Sequence, residues 1–383
     1  GLRESQNGAG WRALSGEVCR AQQKASAAHV SSLWPLLRPP VGEELVGRCW
    51  PKASPLLFFP DGLSFEASLP NVHGRAGVVL ADECLVVACN GLTGSRWHGS
   101  VQLHRSPSSV GSGECLASQV ADSTVAALVV LTPTSFLAGL DSGALELLRL
   151  SKEGEGAPEI ESLFYQCDHD AGLTSLALST DGCRLASTGW DHSIKIWDLR
   201  SMQCTKTYVS AHADVVWKVA FSADPHVFIS CGRDGQVRSW DIRLSRPATI
   251  LGHCPSVPRA LDWQPQSPST YAVGLECGQV VVRDLRQPGS DVTLLRPHRR
   301  PIHRLLFCPV RPSWLASCAD DCLVALADTS RTKDHLVYKS QEHTEFVRGL
   351  AWDSGRLLSS GWDGRVHVHA GMAPSMQLAS GEA

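Results

Sequence analysis

The sequence lacks several features that would assign it quickly. No apolar run reaches the roughly 18 residues that a membrane-crossing helix needs, so no membrane contact is expected. Basic residues are not in excess: 35 Lys and Arg stand against 38 Asp and Glu, a formal charge of −3. A general nucleic-acid binder carries a large basic surplus, so direct nucleic-acid binding is not expected. There is no N-x-S/T sequon, and the first thirty residues lack the basic, apolar and small-residue order of a signal peptide. G-x-S-x-G, H-E-x-x-H and a Gly-rich phosphate loop feeding a helix are all missing. No catalytic residue, metal or cofactor is therefore expected.

Cysteine is plentiful, but its framework is absent. The fourteen cysteines include no CxxC pair; the closest spacings, Cys84 to Cys89 and Cys318 to Cys322, have no histidines placed as in a zinc finger. Several, such as Cys183, Cys231 and Cys308, fall in apolar runs, where a thiol behaves as a small hydrophobe. Reduced, buried thiols in a cytoplasmic or nuclear protein are the expectation. Because the chain begins at Gly1, a fragment or processed form is also expected.

What is present is punctuation. The 33 glycines and 22 prolines interrupt the chain at short intervals, favouring many short strands over helices. Those strands repeat. His169 is followed by Ser187, Asp191 and Trp197 at distances of 18, 22 and 28 residues, and His212 by Ser230, Asp234 and Trp240 at the same distances. A shorter pattern, a turn followed by an alternating strand, recurs seven times, at Gly99, Gly143, His192, Gly235, Gly278, Cys322 and Gly364. Successive gaps are 44, 49, 43, 43, 44 and 42 residues. Thirteen of the fourteen positions two and four residues past these points are aliphatic, the period of a strand.

A repeat of this length with an early His and a closing Trp-Asp resembles the WD-repeat family. The resemblance implies an all-β, seven-bladed WD-repeat β-propeller over residues 61–372, one domain rather than the two or three its length would admit. It also implies a hydrogen-bonded tetrad in each clean repeat: His169, Ser187, Asp191 and Trp197, and His212, Ser230, Asp234 and Trp240. These sets mimic a serine-hydrolase triad, but a catalytic site occurs once and these recur by repeat. The remaining blades diverge. Leu148, Arg283, Ala327 and His369 stand at the Trp position and Cys277 at the turn Asp, so strand pairing and apolar burial alone are expected to hold them.

Residues 1–60 carry no repeat and read as an irregular, possibly disordered extension; residues 373–383 read as a loose tail. Ring closure requires a strand from residues 55–90, with LSFEASL and AGVVLADECLVVA as candidates. RPHRRPIHR, residues 296–304, holds four arginines and two histidines without an acid. It reads either as a patch for an acidic or phosphorylated partner or as a solvated inter-blade loop. Trp97, just before a turn, and Trp314, on a loop, are candidate interface anchors.

A narrower resemblance rests on NGLTGSRWHGSVQLHRSP, LAGLDSGALELLRL, LASCADDCLVALADTS and HTEFVRGLAWDSGRLLSSGWDGRVHVH. Across about residues 80–370 these segments are similar, in order, to the methylosome WD-repeat subunits, the partners of the type II protein arginine methyltransferase. The resemblance implies a non-catalytic adaptor of the cytoplasm and nucleus that binds this methyltransferase through Trp97, Arg96 and Trp314. It also implies help in presenting histone tails and spliceosomal Sm proteins for symmetric arginine dimethylation, with roles in snRNP assembly and transcriptional regulation. Cationic tails would be drawn to carboxylates on the rim. A WD-repeat substrate receptor of a ubiquitin ligase is the alternative.

Overall fold

The computed structural model describes residues 77–79 and 84–369 apart from 94–95, 112–113, 152–155, 245–248, 288–290, 332 and 354. Residues 1–60, the LSFEASL closing-strand candidate and the 373–383 tail lie outside them. Among the described residues, except for a 3-10 turn at Pro107–Ser109, the regular structure is all β and forms seven antiparallel sheets of sequential strands. Blade one is β1 (Gly77–Val79), β2 (Leu85–Thr93), β3 (Arg96–His104) and β4 (Ala117–Ala121); blade two is β5 (Val125–Thr132), β6 (Ser135–Leu140), β7 (Ala144–Ser151) and β8 (Glu159–Cys167). Blade three is β9 (Leu173–Leu178), β10 (Arg184–Gly189), β11 (Ile194–Asp198) and β12 (Gln203–Tyr208); blade four is β13 (Val216–Phe221), β14 (Val227–Gly232), β15 (Gln236–Asp241) and β16 (Thr249–His253). Blade five is β17 (Pro258–Trp263), β18 (Thr270–Leu275), β19 (Val280–Asp284) and β20 (Asp291–Leu295); blade six is β21 (Ile302–Phe307), β22 (Trp314–Ala319), β23 (Val324–Asp328) and β24 (Leu336–Ser340). Blade seven is three-stranded among the described residues: β25 (Val347–Asp353), β26 (Arg356–Gly361) and β27 (Val366–His369).

The first strand of each blade lies at the hub, and each sheet is covered on both faces by its neighbours. Second strands therefore lose the alternation of a half-exposed strand. All six residues of β6 are buried, as are the last five of β10, β14, β18, β22 and β26. The outermost strand β12 faces solvent and alternates. Leu85, Val87 and Cys89 of blade one pack with Ala351 and Leu358 of blade seven, which closes the ring through apolar contact. AGVVLADECLVVA supplies β1 and the start of β2 inside blade one, so it is not the strand that completes blade seven.

The tetrads lie at one end of the strands. His169 Nδ1 donates to Asp191 at 2.8 Å, its Nε2 accepts from Ser187 Oγ at 2.8 Å, and Trp197 Nε1 donates to the same Oγ at 2.8 Å. In blade four the matching distances are 3.0, 2.7 and 2.8 Å for His212, Ser230, Asp234 and Trp240. Each aspartate also accepts the amide of the residue after its histidine, Asp170 or Ala213. One carboxylate thus ties the turn before a blade's first strand to the turn between its second and third. Burial pushes these carboxyls up, but the histidine contact and the amides outweigh it. Asp191 is held well below the usual range and Asp234 at about 2.

Two blades expected to rely on packing alone have the same device. His298 bonds Asp321 at 3.0 Å and Ser317 at 2.9 Å, and His343 bonds Asp363 at 2.9 Å and Ser359 at 2.8 Å. In blade seven His369 takes the Trp position and reaches Ser359 Oγ at 2.7 Å. Blade five is different again. Arg283 is buried at the Trp position, its guanidinium directed at the His253 carbonyl and the Cys254 sulfur. In blade one Asn90 makes two hydrogen bonds, 3.0 and 2.7 Å, to the backbone of Val125 in blade two.

Between blades five and six, the partly buried Asp262 carboxylate accepts the Phe307 amide at 2.7 Å. Burial lifts its pKa to about 7, against the amides of Phe307 and Trp263.

Two predictions follow from these contacts. Replacing His298 by Ala should destabilise the protein by about 2–3 kcal/mol in urea unfolding; a loss no larger than that of Arg300→Ala would remove the clamp from blade six. Asp262 holds its proton more tightly when folded than when unfolded. Its contribution is therefore full below the ordinary carboxylate pKa and is lost as pH rises through about 7. Asp262→Asn should become progressively more stable relative to the wild type between pH 5 and 8, by about 1–2 kcal/mol after allowing for partial solvation. Parallel stability curves would contradict this.

Candidate partner-binding face

The aspartate clamps give the ring two unlike ends. One end carries the turns between second and third strands and the connections from one blade to the next; call it the clamp face. At most blades the second-to-third turn is tight and places its turn residue at positive φ: +88° at Gly143, +77° at Gly235, +84° at Gly278 and +68° at Gly364. His192 and Cys322 take the same conformation at +62° and +63°.

Blade one departs from this pattern. Gly99, read from sequence as following a turn, lies inside the β2–β3 ladder opposite Asn90, and pairing continues past it to Thr93–Arg96. A Cβ at Gly99 would sit 2.4 Å from the Ser123 carbonyl oxygen, so close approach, rather than a turn, calls for glycine here. The two strands therefore run beyond the level at which the other hairpins turn. They carry Trp97, 46% exposed, out on the clamp face. Arg96 opens β3 beside it; its side chain lies outside the described residues.

Trp314 is in a strand rather than on a loop. It opens β22, pairs with Asp328, packs partly into the blade six core and has the Arg311 guanidinium 4.4 Å from its ring centroid. It follows the connection from first to second strand, at the end opposite the clamp face. The structure does not bring Trp97 and Trp314 together, and a partner touching both must reach around the rim across blade seven. The tetrad residues, by contrast, are brought together and sealed. Ser187 and Ser230 are fully buried and bonded to both His and Trp, so neither oxygen is offered to a substrate.

Charge is unevenly spread around the clamp face. Asp122, Asp141 and Asp170 are exposed on blades two and three, next to the Trp97 hairpin, with Ser142 and Tyr165 hydrogen-bonded to Asp122. On the far side, Arg233, Arg299 and Arg300 are exposed, Arg233 is paired with Asp214 at 3.8 Å, and Glu342 and Glu345 are exposed on the connection into blade seven. The segment 296–304 is thereby divided: His298 is a clamp, Arg299 and Arg300 face solvent, and His303 and Arg304 belong to the inner strand β21.

At the centre is a ring that periodicity did not reveal. Six inner strands have a register shift after their first residue, and the residues passed over are Ala126, Thr174, Trp217, Arg259, His303 and Arg348. A bulge re-aims the side chain it carries, and these side chains meet across blade boundaries. Trp190 and Trp217 are edge to face at 5.2 Å, Arg259 lies 4.6 Å from the Trp217 centroid, and Arg348 lies 4.9 Å from that of Trp362. Arg259 pairs with Glu276 at 3.3 Å; Asp320 pairs with both His303, 2.9 Å, and Arg348, 3.0 Å. Burial, aided by Arg348 and Arg259, lowers His303 to about 4 against the pull of Asp320, so the ring is neutral near pH 7. The sequence signal was the unlike residues at one inner-strand position, which carries no motif of its own.

Comparison with known proteins agrees with this architecture. The model of the WD domain, G-beta repeat, matches residues 161–198 and 202–241, the two repeats that contain the complete tetrads, each beginning on the outer strand of the preceding blade. The chain is 29% identical to an F-box/WD-40 repeat-containing protein of Arabidopsis thaliana over 56% of its length and 40% of that protein. It is 32% identical to an uncharacterized WD repeat-containing protein of Schizosaccharomyces pombe, over 58% of the chain and 52% of that protein. With the methylosome protein WDR77 of Xenopus laevis it shares 30% identity over 75% of the chain and 86% of the relative. A match of that extent, together with seven blades, places this chain in the methylosome WDR77 family of WD-repeat propellers.

Proposed function

We propose that this protein is a non-catalytic adaptor of a methylosome, which seats a type II protein arginine methyltransferase on the β2–β3 hairpin and helps to present that enzyme's substrates. The observation that carries the reading is the extended hairpin. It holds a large, half-exposed indole away from the ring on a two-stranded support, as an interface anchor requires. The WDR77 relative is named as a methylosome protein. A ring whose repeated His-Ser-Asp sets are sealed inside the blades suits a scaffold better than an enzyme.

Substrates with basic Gly/Arg segments, such as histone tails and Sm proteins, fit the acidic side of the same face. Asp122, Asp141 and Asp170 lie beside the hairpin, so an arginine-rich tail held there is close to an enzyme docked on Trp97. Such work in snRNP assembly and transcription belongs to the cytoplasm and the nucleus. The F-box/WD-40 relative supports a ubiquitin-ligase receptor less well, because the alignment covers only 40% of that protein.

Trp97→Ala should weaken methyltransferase binding by about 2 kcal/mol or more, measured by biolayer interferometry on the purified pair, with thermal unfolding unchanged. Undiminished binding would end this reading, as would a pull-down returning a cullin adaptor instead. Asp141→Asn with Asp170→Asn should weaken capture of a Gly/Arg peptide several-fold at low salt and leave methyltransferase binding intact.

A further inference from the structure

Blade seven carries a side-chain cluster that the adaptor reading does not use. In each clamped blade, the third-strand residue that faces the clamp serine across the ladder lies four residues past the clamp aspartate. It is Lys195 opposite Ser187, Arg238 opposite Ser230, Ala325 opposite Ser317 and His367 opposite Ser359. Of these four, only His367 can ligate a metal beside the clamp. Its ring stands edge to face on the His343 ring at 4.5 Å, and one ligand atom from each of His343, Asp363 and His367 lies within 4.8 Å of the others.

His367 is held as a ligand would be. Its Nδ1 lies 3.2 Å from the Glu342 carboxylate, which keeps the ring proton on that nitrogen and leaves the lone pair on Nε2. Burial lowers the pKa of the ring, so it is neutral near pH 7. Nε2 is shielded from solvent and has no hydrogen-bond partner. A carboxylate on one imidazole nitrogen and a bare lone pair on the other is the arrangement of a metal-binding histidine.

The clamp histidine is also freer here than elsewhere. In blades three and four the tryptophan N–H donates to the serine Oγ and offers it no acceptor. The serine proton then goes to the histidine Nε2, and the histidine proton stays on Nδ1 against the aspartate. In blade seven His369 replaces the indole, 2.7 Å from Ser359 Oγ, with Tyr338 OH 3.1 Å from its other nitrogen. An imidazole and a phenol can each donate or accept, so this chain can reverse. The His343 proton passes from Nδ1 to Nε2, Ser359 turns its hydroxyl proton to His369 Nε2, and the His369 proton passes to Nδ1 against Tyr338. No proton is lost, both rings stay neutral, and His343 Nδ1 becomes a second lone pair directed at Asp363.

We propose that His343, Asp363 and His367 bind one zinc ion through Nδ1, a carboxylate oxygen and Nε2, with water in the fourth position. Two imidazoles and a carboxylate are a donor set that zinc takes in tetrahedral geometry, with bonds of about 2.0–2.2 Å. Ligands on such bonds stand about 3.3 Å apart, so the 2.9 Å His343–Asp363 pair opens slightly and His367 closes in. Asp363 and Glu342 together balance the two charges of the ion, and the Thr344 amide still bonds Asp363. The ion ties the connection into blade seven to the second-to-third turn and to β27.

Zinc titration of the full chain tests this, by competition with a chromophoric chelator and by thermal unfolding. Cys115→Ser with Cys277→Ser provides a background without the exposed thiols of the described residues. One equivalent of zinc should bind and raise the unfolding temperature, whereas magnesium should do neither. Cobalt(II) in its place should give tetrahedral ligand-field bands without a sulfur-to-metal charge-transfer band. His367→Lys, which installs the blade three residue, should weaken zinc binding well over tenfold. His369→Trp keeps all three ligands but restores the fixed proton, and should weaken binding about tenfold. His226→Gln, beside Asp224 on blade four, should leave it unaltered. Unfolding without metal shows which variants fold, and His367→Lys decides if His369→Trp does not. The proposal is overturned if excess zinc fails to bind, if magnesium binds as well, if cobalt shows thiolate charge transfer, or if either folded blade seven variant binds zinc like the wild type. Loss in His226→Gln equal to that in His367→Lys overturns it too. Trp97→Ala should bind zinc as the wild type does, so this result and the methyltransferase result are independent.

Discussion

One buried carboxylate in each of blades three, four, six and seven organises the clamp face of this ring. Asp191, Asp234, Asp321 and Asp363 each accept a histidine N–H and the amide that follows that histidine, so two turns are fixed by one side chain. Burying a carboxylate is costly unless its acceptor sites are filled. Here they are filled by groups from both turns, so the charge is tolerated only when the turns are correctly placed. The blades with this clamp are three, four, six and seven; the connections they hold frame the hub mouth. Without such ties the connections would have only their own short backbone contacts to resist opening.

Where the clamp is missing, the chain uses the position for something else. Blade one replaces it with Asn90, which bonds the backbone of blade two and leaves its hairpin free to grow outward. Blade five replaces the indole with Arg283, whose guanidinium is held by a backbone carbonyl and a thiol rather than by a serine. In blades one and five, then, one hydrogen-bonded solution stands in for another, whereas Leu148 in blade two and Ala327 in blade six put buried apolar side chains at the Trp position.

Much of this was legible in the sequence because a propeller repeats its physics at a fixed interval. The spacings from His169 and His212 matched residue for residue, and both sets close into tetrads. His298 and His343 escaped notice because their spacings to serine and aspartate are 19 and 23, and 16 and 20, instead of 18 and 22. One residue gained or two lost in a connecting turn defeats a pattern but not a hydrogen bond. Gly99 misled for the opposite reason: its surroundings look like the other turns, yet what sets the glycine is the Ser123 carbonyl of the next connection, which no local pattern contains. The bulges left only a run of unlike residues at one inner-strand position, since a register shift is a relation between two strands and has no motif in either one.

The same bulges explain how a rigid ring can carry specific chemistry at its hub. A regular inner strand presents alternate side chains to the two neighbouring blades, and both directions are already packed: Val216 and Val219 are buried, as are Ile302 and Leu305. An additional residue in the register belongs to neither face, so its side chain is released from packing and its identity is free to vary. That is why Ala, Thr, Trp, Arg, His and Arg can occupy equivalent positions around a core that is otherwise apolar. The clamps hold the turns above, the buried second strands hold the sheet beside, and variation is confined to one ring of side chains between them. The side chains at the hub can therefore change without any change in the packing that closes the ring.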